Sequence, residues 1–455
     1  MLMIATLNVL PGKFMTILLL VLIAITALIV KLLYCRKPVT RQRKAGVIVS
    51  VILILLLCLG NYYLYSTYAM FHKISDADKQ MEDFHVVVLE ESSYEKLEDI
   101  KGKTVFVQEN ESDTYKEAKG KLMNEADVTY DKVEDYLALG EKLVDSKGKT
   151  HDEIIFLSNT NYEMLCEDVE DYSKKTRILY TISVAIAGND IAKRVNVTED
   201  PFNIYISGID TFGSIDKVSR SDVNMIMTVN PKTKKILLTS IPRDMYVTLH
   251  SYGALDKLTH SGIYGVEETV TTVEDWLDLD INYYIRVNFT TLVDIVDVIG
   301  GVDVESEYAF SSSVSDYSYS KGTNHLDGEA ALYFARERKS FSGGDNERVK
   351  NQQRVLKAII QKITGSTVIL TKYAQLLNAV EDEMQTNLAD SDISALVKMQ
   401  LSDLGGWDID MISIEGTGDY RATYSMGSRE LYVMIPDDKS VEAAQKKINQ
   451  VMYEE

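Results

Sequence analysis

No Asp or Glu occurs before Asp76, while the first 65 residues hold seven Lys/Arg. Removing those seven from the chain's 48 leaves 41 Lys/Arg against 68 Asp/Glu, a net of −27 for the remainder. A body this acidic disfavours nucleic-acid binding. Cysteine is nearly absent. Cys35 and Cys58 fall in or beside apolar runs, which leaves Cys166 alone in the body and excludes an internal disulfide there. There is also no P-loop, HExxH, Cys pair or GxSxG, and the six His are scattered. These absences remove the common nucleotide-hydrolase, zinc-peptidase, thiol-redox and serine-hydrolase readings.

What is present begins with two long apolar runs, within residues 14–33 and 45–65. Each approaches the ~20 residues a helix needs to cross a bilayer. Tyr62, Tyr63, Tyr65 and Tyr68 supply an interfacial aromatic belt after the second. The link between the runs carries Lys31, Arg36, Lys37, Arg41, Arg43 and Lys44, which places it in the cytoplasm by the positive-inside rule. Residues 1–65 therefore read as a two-span membrane anchor, with the body outside the cell. A large external body without disulfides fits a Gram-positive surface, and its length suffices for a core without staples.

Residues 66–83 read as a polar connector. Residues 84–188 alternate short apolar strands with charged helical stretches, which predicts a small α/β accessory domain. The block over 200–455 predicts a mixed central sheet between helical layers. Its strands are expected at 202–209, 223–229, 236–241, 283–288, 302–305, 409–414 and 430–434. Helices are expected at 258–277, 289–299, 326–335, 346–363, 370–384 and 393–404. The Ser/Tyr-rich stretch 306–324 reads as a surface loop.

The body contains only 11 Arg, and five sit where surface decoration explains them poorly. Arg220 and Arg243 lie at strand ends. Arg336 and Arg338 close a helix, and Arg348 opens the next. Residues two apart on a helix point apart, so "ARER" serves one site only if the chain becomes extended there. Arg348 and Gln352, four apart, share a helix face. Arg donates two hydrogen bonds from a planar fork, which suits phosphate. Several converging in an acidic body imply a strongly anionic ligand, such as a pyrophosphate. Salt bridges to Glu337, Asp345 or Glu347 are the plainer use for any single one of them. Asp210 and Asp222, at strand ends, suit either turn capping or a Mg²⁺ whose shell substrate phosphates and water complete. Asp244, beside Arg243, is an alternative partner.

The segments "NIYISGIDTFGSIDKVSRSDVNMIMTVNPKTKKILLTSIPRD", "DKLTHSGIYG", "YYIRVNFTTLVDIVDVIGGVDV", "HLDGEAALYFARER" and "DNERVKNQQRVLKAIIQKI" occur in this order. Together they resemble the catalytic domain of the LytR-CpsA-Psr family, and the accessory block is similar to the capsule-associated CpsA type. The resemblance implies an extracytoplasmic phosphotransferase using Mg²⁺ (or Mn²⁺). Such an enzyme moves a glycopolymer from an undecaprenyl-pyrophosphate carrier onto peptidoglycan, with the lipid held in an apolar tunnel. By motif position, Asp210 and Asp222 would hold the metal. Arg220, Arg243, Arg336, Arg338, Arg348 and Gln352 would bind the pyrophosphate, with Lys257 as a further substrate contact. Arg243, Arg220 and Asp222 would be catalytic. Expected partners are the polyprenyl-linked polymer, a peptidoglycan acceptor, the bilayer and a capsule-synthesis membrane complex. A non-catalytic lipid-pyrophosphate receptor and a polyprenyl-pyrophosphate pyrophosphatase are the competing readings.

Overall fold

The computed structural model describes residues 11–34, 40–74, 79–109, 112–145, 147–187, 190–209, 215, 219–341, 343–366, 368, 372–380, 384–403, 405–427 and 429–454. Helices Gly12–Tyr34 and Thr40–Ile74 contain the apolar runs. Segments Gly12–Tyr34 and Arg41–Tyr62 are long and apolar enough to cross a membrane. The second helix continues past Tyr65 to Ile74, since neither Gly nor Pro interrupts that stretch.

The connector expected over 66–83 is thus helix at its start, and strand Lys79–Leu89 occupies its end. Two acidic residues disguised that strand. Glu82 and Asp83 are both buried. Thr114 Oγ1 donates to Glu82, and Ser183 Oγ donates to Asp83 Oδ1 at 2.5 Å. The strand is interior to a five-stranded sheet, in the order Thr129–Val133, Thr104–Gln108, Ile155–Ser158, Lys79–Leu89, Thr176–Ala187. The first three strands run parallel, and Lys79–Leu89 is antiparallel to both its neighbours. Helix Asp113–Ala126 covers one face through Tyr115, Ala118 and Leu122, which pack with Phe84 and Phe156. Tyr136, Leu139, Leu165 and Tyr172 cover the other. Met426, Ile263 and Leu431 from the following domain also reach that second core, so the two domains share packing.

The larger domain is built on a six-stranded mixed sheet. Its order is Met384–Thr386, Tyr283–Val287, Phe202–Gly208, Val223–Asn230, Lys235–Ile241, Asp408–Ser413. Two neighbouring pairs, 202–208 with 283–287 and 235–241 with 408–413, are parallel, and the other three pairs are antiparallel. Strand alternation sends Tyr205, Ile226 and Leu237 to one face, under helices Val266–Leu277 and Asp438–Tyr453. Phe202, Ile204, Met225 and Leu238 go to the other face, toward helices Asp345–Thr364 and Asp390–Ser402. This is an α/β fold with a mixed sheet between helical layers.

Two local expectations are corrected. Residues 306–324 are not a plain surface loop. Strands Phe310–Ser311 and Ser318–Tyr319 pair there, and Gly322–Leu326 pairs with Val302–Ser306. The polar composition concealed an aromatic cluster: the rings of Phe310 and Tyr319 lie 4.7 Å apart and both pack on Phe334. Within the stretch 370–384 expected as helix, the described helix is Tyr373–Val380. Met384–Thr386 is instead an edge strand, where Gln385 accepts a 3.0 Å hydrogen bond from the buried Arg286.

Candidate functional site

A cavity of about 620 Å³ opens between the sheet and helices Phe289–Val298, Gly328–Arg336 and Asp345–Thr364. Its depth is apolar, with Ile206, Met225, Phe289, Leu332, Val355 and Ile359. Its charged lining is Asp222, Arg243, Arg336, Arg338, Lys339 and Arg348, with Gln352 beside them. The size falls in the usual range for a small-molecule site, roughly 300–1,000 Å³.

Local rules place each of these groups. Asp222 N donates to Gly208 O at 2.8 Å, and Ser221 N donates to Thr259 O at 3.2 Å. The segment before Asp222 lies against Gly262, where a Cβ would stand 2.7 Å from Ser219 O and Ser221 N. Only glycine permits that approach. Arg243 follows strand Lys235–Ile241, and its carbonyl accepts from Thr259 N at 2.8 Å. Helix Gly328–Arg336 is capped by Asp327 and ends because Glu337 is extended, with φ −67° and ψ 130°. Glu337 is buried and accepts from Ser313 N at 2.5 Å and Ser340 N at 2.9 Å. That break lets Arg336 and Arg338 line one cavity, as the sequence pattern requires. Arg336 stacks 4.3 Å above Phe289, the first residue of a helix capped by Asn288. Helix Asp345–Thr364 is pinned to the sheet by Gln353, whose Nε2 donates to Leu238 O at 2.9 Å and Ile412 O at 2.6 Å. Arg348 and Gln352 then face the cavity together.

The electrostatics are unbalanced toward positive charge. Arg243 Nη1 donates to Asp222 Oδ1 at 2.6 Å, while Arg243 Nε is buried without a hydrogen-bond partner among the described residues. Burial opposes its charge, but the carboxylates of Asp222 and Asp244 outweigh that, and its pKa is raised. Arg348 behaves oppositely. Burial is the largest influence and lowers its pKa; Asp345 resists this, and Arg243 and Arg338 add repulsion. Arg348 Nη2 lies 2.7 Å from Asp345 Oδ1, yet neither Nη2 nor Nε makes an aligned hydrogen bond. Buried guanidinium donors left open are expensive unless an anion completes them.

Of the residues expected from sequence, Asp222, Arg243, Arg336, Arg338, Arg348 and Gln352 meet on this cavity. Arg220 is half-buried on the segment before Asp222 and is not part of the lining. Lys257 stands to one side, with Nζ 3.0 Å from Asp244 Oδ1. Asp210 lies outside the described residues. The ordinary salt-bridge use is real for part of the set: Arg348 has Asp345, but Glu347 pairs with Arg354 at 2.7 Å and Glu337 serves the backbone. Thr259, and the contact of Phe289 with Arg336, escaped sequence reasoning, although the stretch from Phe289 to Ile299 reads from sequence as a candidate wall of the lipid tunnel. Thr259 Oγ1 lies 3.4 Å from Asp222 Oδ1, and only the pairing of its backbone with Arg243 signals it. Phe289 supports Arg336, a contact between helices that no local pattern encodes.

Among the described residues no group of three or more His, Cys, Asp or Glu could enclose a metal. Asp222 Oδ1 is taken by Arg243 and Thr259, and Oδ2 has no hydrogen-bond partner among the described residues. The donor set therefore fits a hard cation held by one carboxylate oxygen, with phosphate oxygens and water completing its shell.

The profile of the LytR_cpsA_psr family matches residues 172–450. The chain belongs to this family. Among curated relatives it is similar to the polyisoprenyl-teichoic acid–peptidoglycan teichoic acid transferase TagU of Bacillus licheniformis, 40% identical over 195 residues, covering 43% of this chain and 62% of the relative. The TagU of Enterococcus faecalis is 34% identical over 223 residues, covering 48% of this chain and 72% of that protein. The chain thus spans less than two thirds of the length of the Bacillus licheniformis relative. Solved structures similar to it include Bacillus subtilis TagV, with TM-score 0.47 and 30% identity over 56% of this chain and 98% of that one. Bacillus subtilis TagU has TM-score 0.44 and 32% identity over 56% and 99%.

Proposed function

We propose that the protein is a membrane-anchored, extracytoplasmic phosphotransferase. It takes a capsular polysaccharide or similar glycopolymer from an undecaprenyl-pyrophosphate carrier and joins it to peptidoglycan. The observation that carries this reading is the open donor set of Arg348 and Arg243 at the mouth of an apolar cavity. A lipid pyrophosphate has the matching shape, an apolar chain ending in a concentrated anion. The relatives' printed activity, transfer of teichoic acid to peptidoglycan, supports the class of reaction. The two N-terminal spans and the basic link between them support a multi-pass anchor with the body outside, beside a substrate confined to the bilayer.

In this reading an acceptor hydroxyl of the peptidoglycan sugar attacks the glycan-bearing phosphorus. A new O–P bond forms, the bridging P–O bond breaks, and polyprenyl phosphate leaves. Such transfers depend on positioning and charge neutralisation rather than on a covalent nucleophile. Arg243 and Arg348, bracketing Asp222, neutralise charge on the phosphoryl oxygens. Arg336 and Arg338 hold the leaving side beside the apolar wall. Asp222, joined by Asp210 as the sequence resemblance implies, would hold a Mg²⁺, which would supply further charge compensation at the phosphates.

The test uses the full chain in lipid nanodiscs with a polyprenyl-pyrophosphate glycan and peptidoglycan oligomers, with and without Mg²⁺. Metal-dependent transfer, lost in both Arg243→Ala and Asp222→Ala, supports the transferase. Tight donor binding without turnover, lost in Arg243→Ala but kept in Asp222→Ala, replaces it with a receptor. Phosphate release without transfer in the presence of acceptor replaces it with a pyrophosphatase.

A further inference from the structure

Beside the Arg-lined mouth stands a two-stranded ribbon, Gly416–Ala422 paired with Glu430–Pro436. It is tied to the residues after Arg243. Met434 N donates to Asp244 O at 2.7 Å, Met245 bridges Met434, and Tyr246 OH donates to Ala422 O at 2.7 Å. Tyr420 and Tyr432 are directly opposite in register and so project from one face. Their centroids are 6.0 Å apart at 77°. Neither ring is used by the core: Tyr420 is 63% exposed and Tyr432 is 42% exposed. Gly418, diagonal to Tyr432, lets that ring lie against the strand, since a Cβ there would stand 2.8 Å from Tyr432 Cε2. The ring orientation is therefore built in. The Tyr432 hydroxyl is harder to ionise than usual, through partial burial and then through the carboxylates of Asp244 and Asp345.

Two fixed aromatic faces beside a phosphate site suit the apolar face of a pyranose ring. Its two strands carry Asp419 and Glu430 against Arg421, with no cationic surplus for a polyanion. The cationic surplus is confined to the cavity mouth. We propose that Tyr420 and Tyr432 form the stacking subsite for an uncharged sugar of the glycan acceptor. This rests on the transferase reading. Stacking on Tyr432 holds the sugar on the ribbon that is hydrogen-bonded to Asp244, the residue after Arg243.

The experiment compares the full chain with the Tyr420→Ala/Tyr432→Ala and Tyr420→Phe/Tyr432→Phe pairs. It measures acceptor KM, donor KM and acceptor-independent pyrophosphate cleavage. Ligand-observed NMR with a β-1,4-linked N-acetylglucosamine tetramer measures sugar binding directly. The Ala pair is expected to raise acceptor KM roughly tenfold, as loss of an aromatic anchor does. Donor KM and cleavage stay unchanged, and the Phe pair restores acceptor KM. An unchanged acceptor KM, or an equal rise in donor KM, overturns the proposal. Should the wild type fail to transfer at all, the transferase reading falls by itself. Tetramer binding lost only in the Ala pair would then sustain a saccharide subsite, and no binding by the wild type would overturn it.

Discussion

The interior of the accessory domain and the mouth of the cavity both bury polar and charged groups, and they treat them differently. In the accessory domain, His85 Nδ1 pairs with Thr181 Oγ1 at 2.9 Å and Nε2 with Asn159 Oδ1 at 3.0 Å. Arg177 spreads its guanidinium over the carbonyls of Glu90, Ser92 and Tyr94. Among the described residues of that domain, Tyr172 OH is the one buried side-chain atom left without a partner. At the cavity mouth, Arg243 Nε, Arg348 Nε and Nη2, Asp345 Oδ2 and the nearby Asn351 Nδ2 all lack one. Elsewhere in the larger domain Thr233, Thr239, Ser240, Ser315, Asn387 and Thr423 also carry such an atom, but each is a neutral group, whereas those around Arg243 and Arg348 include charged guanidinium nitrogens and a carboxylate oxygen, the groups an ionic ligand completes. The same element types thus give a sealed domain and a receptive one.

The sharpest way to break this contrast is to remove an open donor. Arg348→Ala is expected to lower transfer roughly 10²–10³-fold, the range for losing a charge-stabilising donor. The melting temperature should hold or rise, because an undercompensated buried charge leaves with the side chain. Calorimetry alongside steady-state rates checks both. A fall in melting temperature matching the fall in rate would make Arg348 a structural residue.

Glu82 tests the sealed side. Burial, resisted by the hydrogen bond from Thr114, pushes its carboxyl up to about 7 from 4.5. A raised folded pKa means the protonated form is favoured, so its contribution is full below the unfolded value and is lost as pH climbs toward 7. Glu82→Gln keeps a neutral side chain at every pH. It should stabilise the accessory domain at pH 8, by on the order of 3 kcal/mol at most, and leave it unchanged at pH 4. Urea melts at the two pH values read the difference. A shift of equal size at both would mean the amide repacks the site.

Much of this was legible in the sequence, for identifiable reasons. The apolar runs marked the two helices that are long and apolar enough to cross a membrane, because composition alone decides them. Arg336 and Arg338 were readable as partners because the ARER spacing serves one site only where the helix is broken. Strand Lys79–Leu89 was missed at its start because Glu82 and Asp83 look exposed until Thr114 and Ser183 are brought to them across the sheet. The 306–324 region was missed because its core is two rings, Phe310 and Tyr319, in a run otherwise polar. Local pattern reports a residue's neighbours along the chain, and these residues take their meaning from partners across it.

The smallest effect concerns the apolar wall, where the cavity departs from the sealed cores in volume rather than in charge. Ala335 lines it and is 6% exposed. Ala335→Leu puts a branched side chain into space the structure leaves open, at a stability cost of about 1 kcal/mol or more. If that space receives the lipid, KM for a long-chain polyprenyl donor should rise roughly tenfold, the scale set by a methylene-sized misfit in an apolar pocket. A donor with a truncated prenyl chain should be unaffected, because its apolar part ends before the obstruction. Equal changes for both donors would mean that the substitution acts through the Gly328–Arg336 helix on Arg336, and that the lipid lies elsewhere. The chain-length dependence separates the apolar half of the site from its cationic half, which no Arg substitution can do.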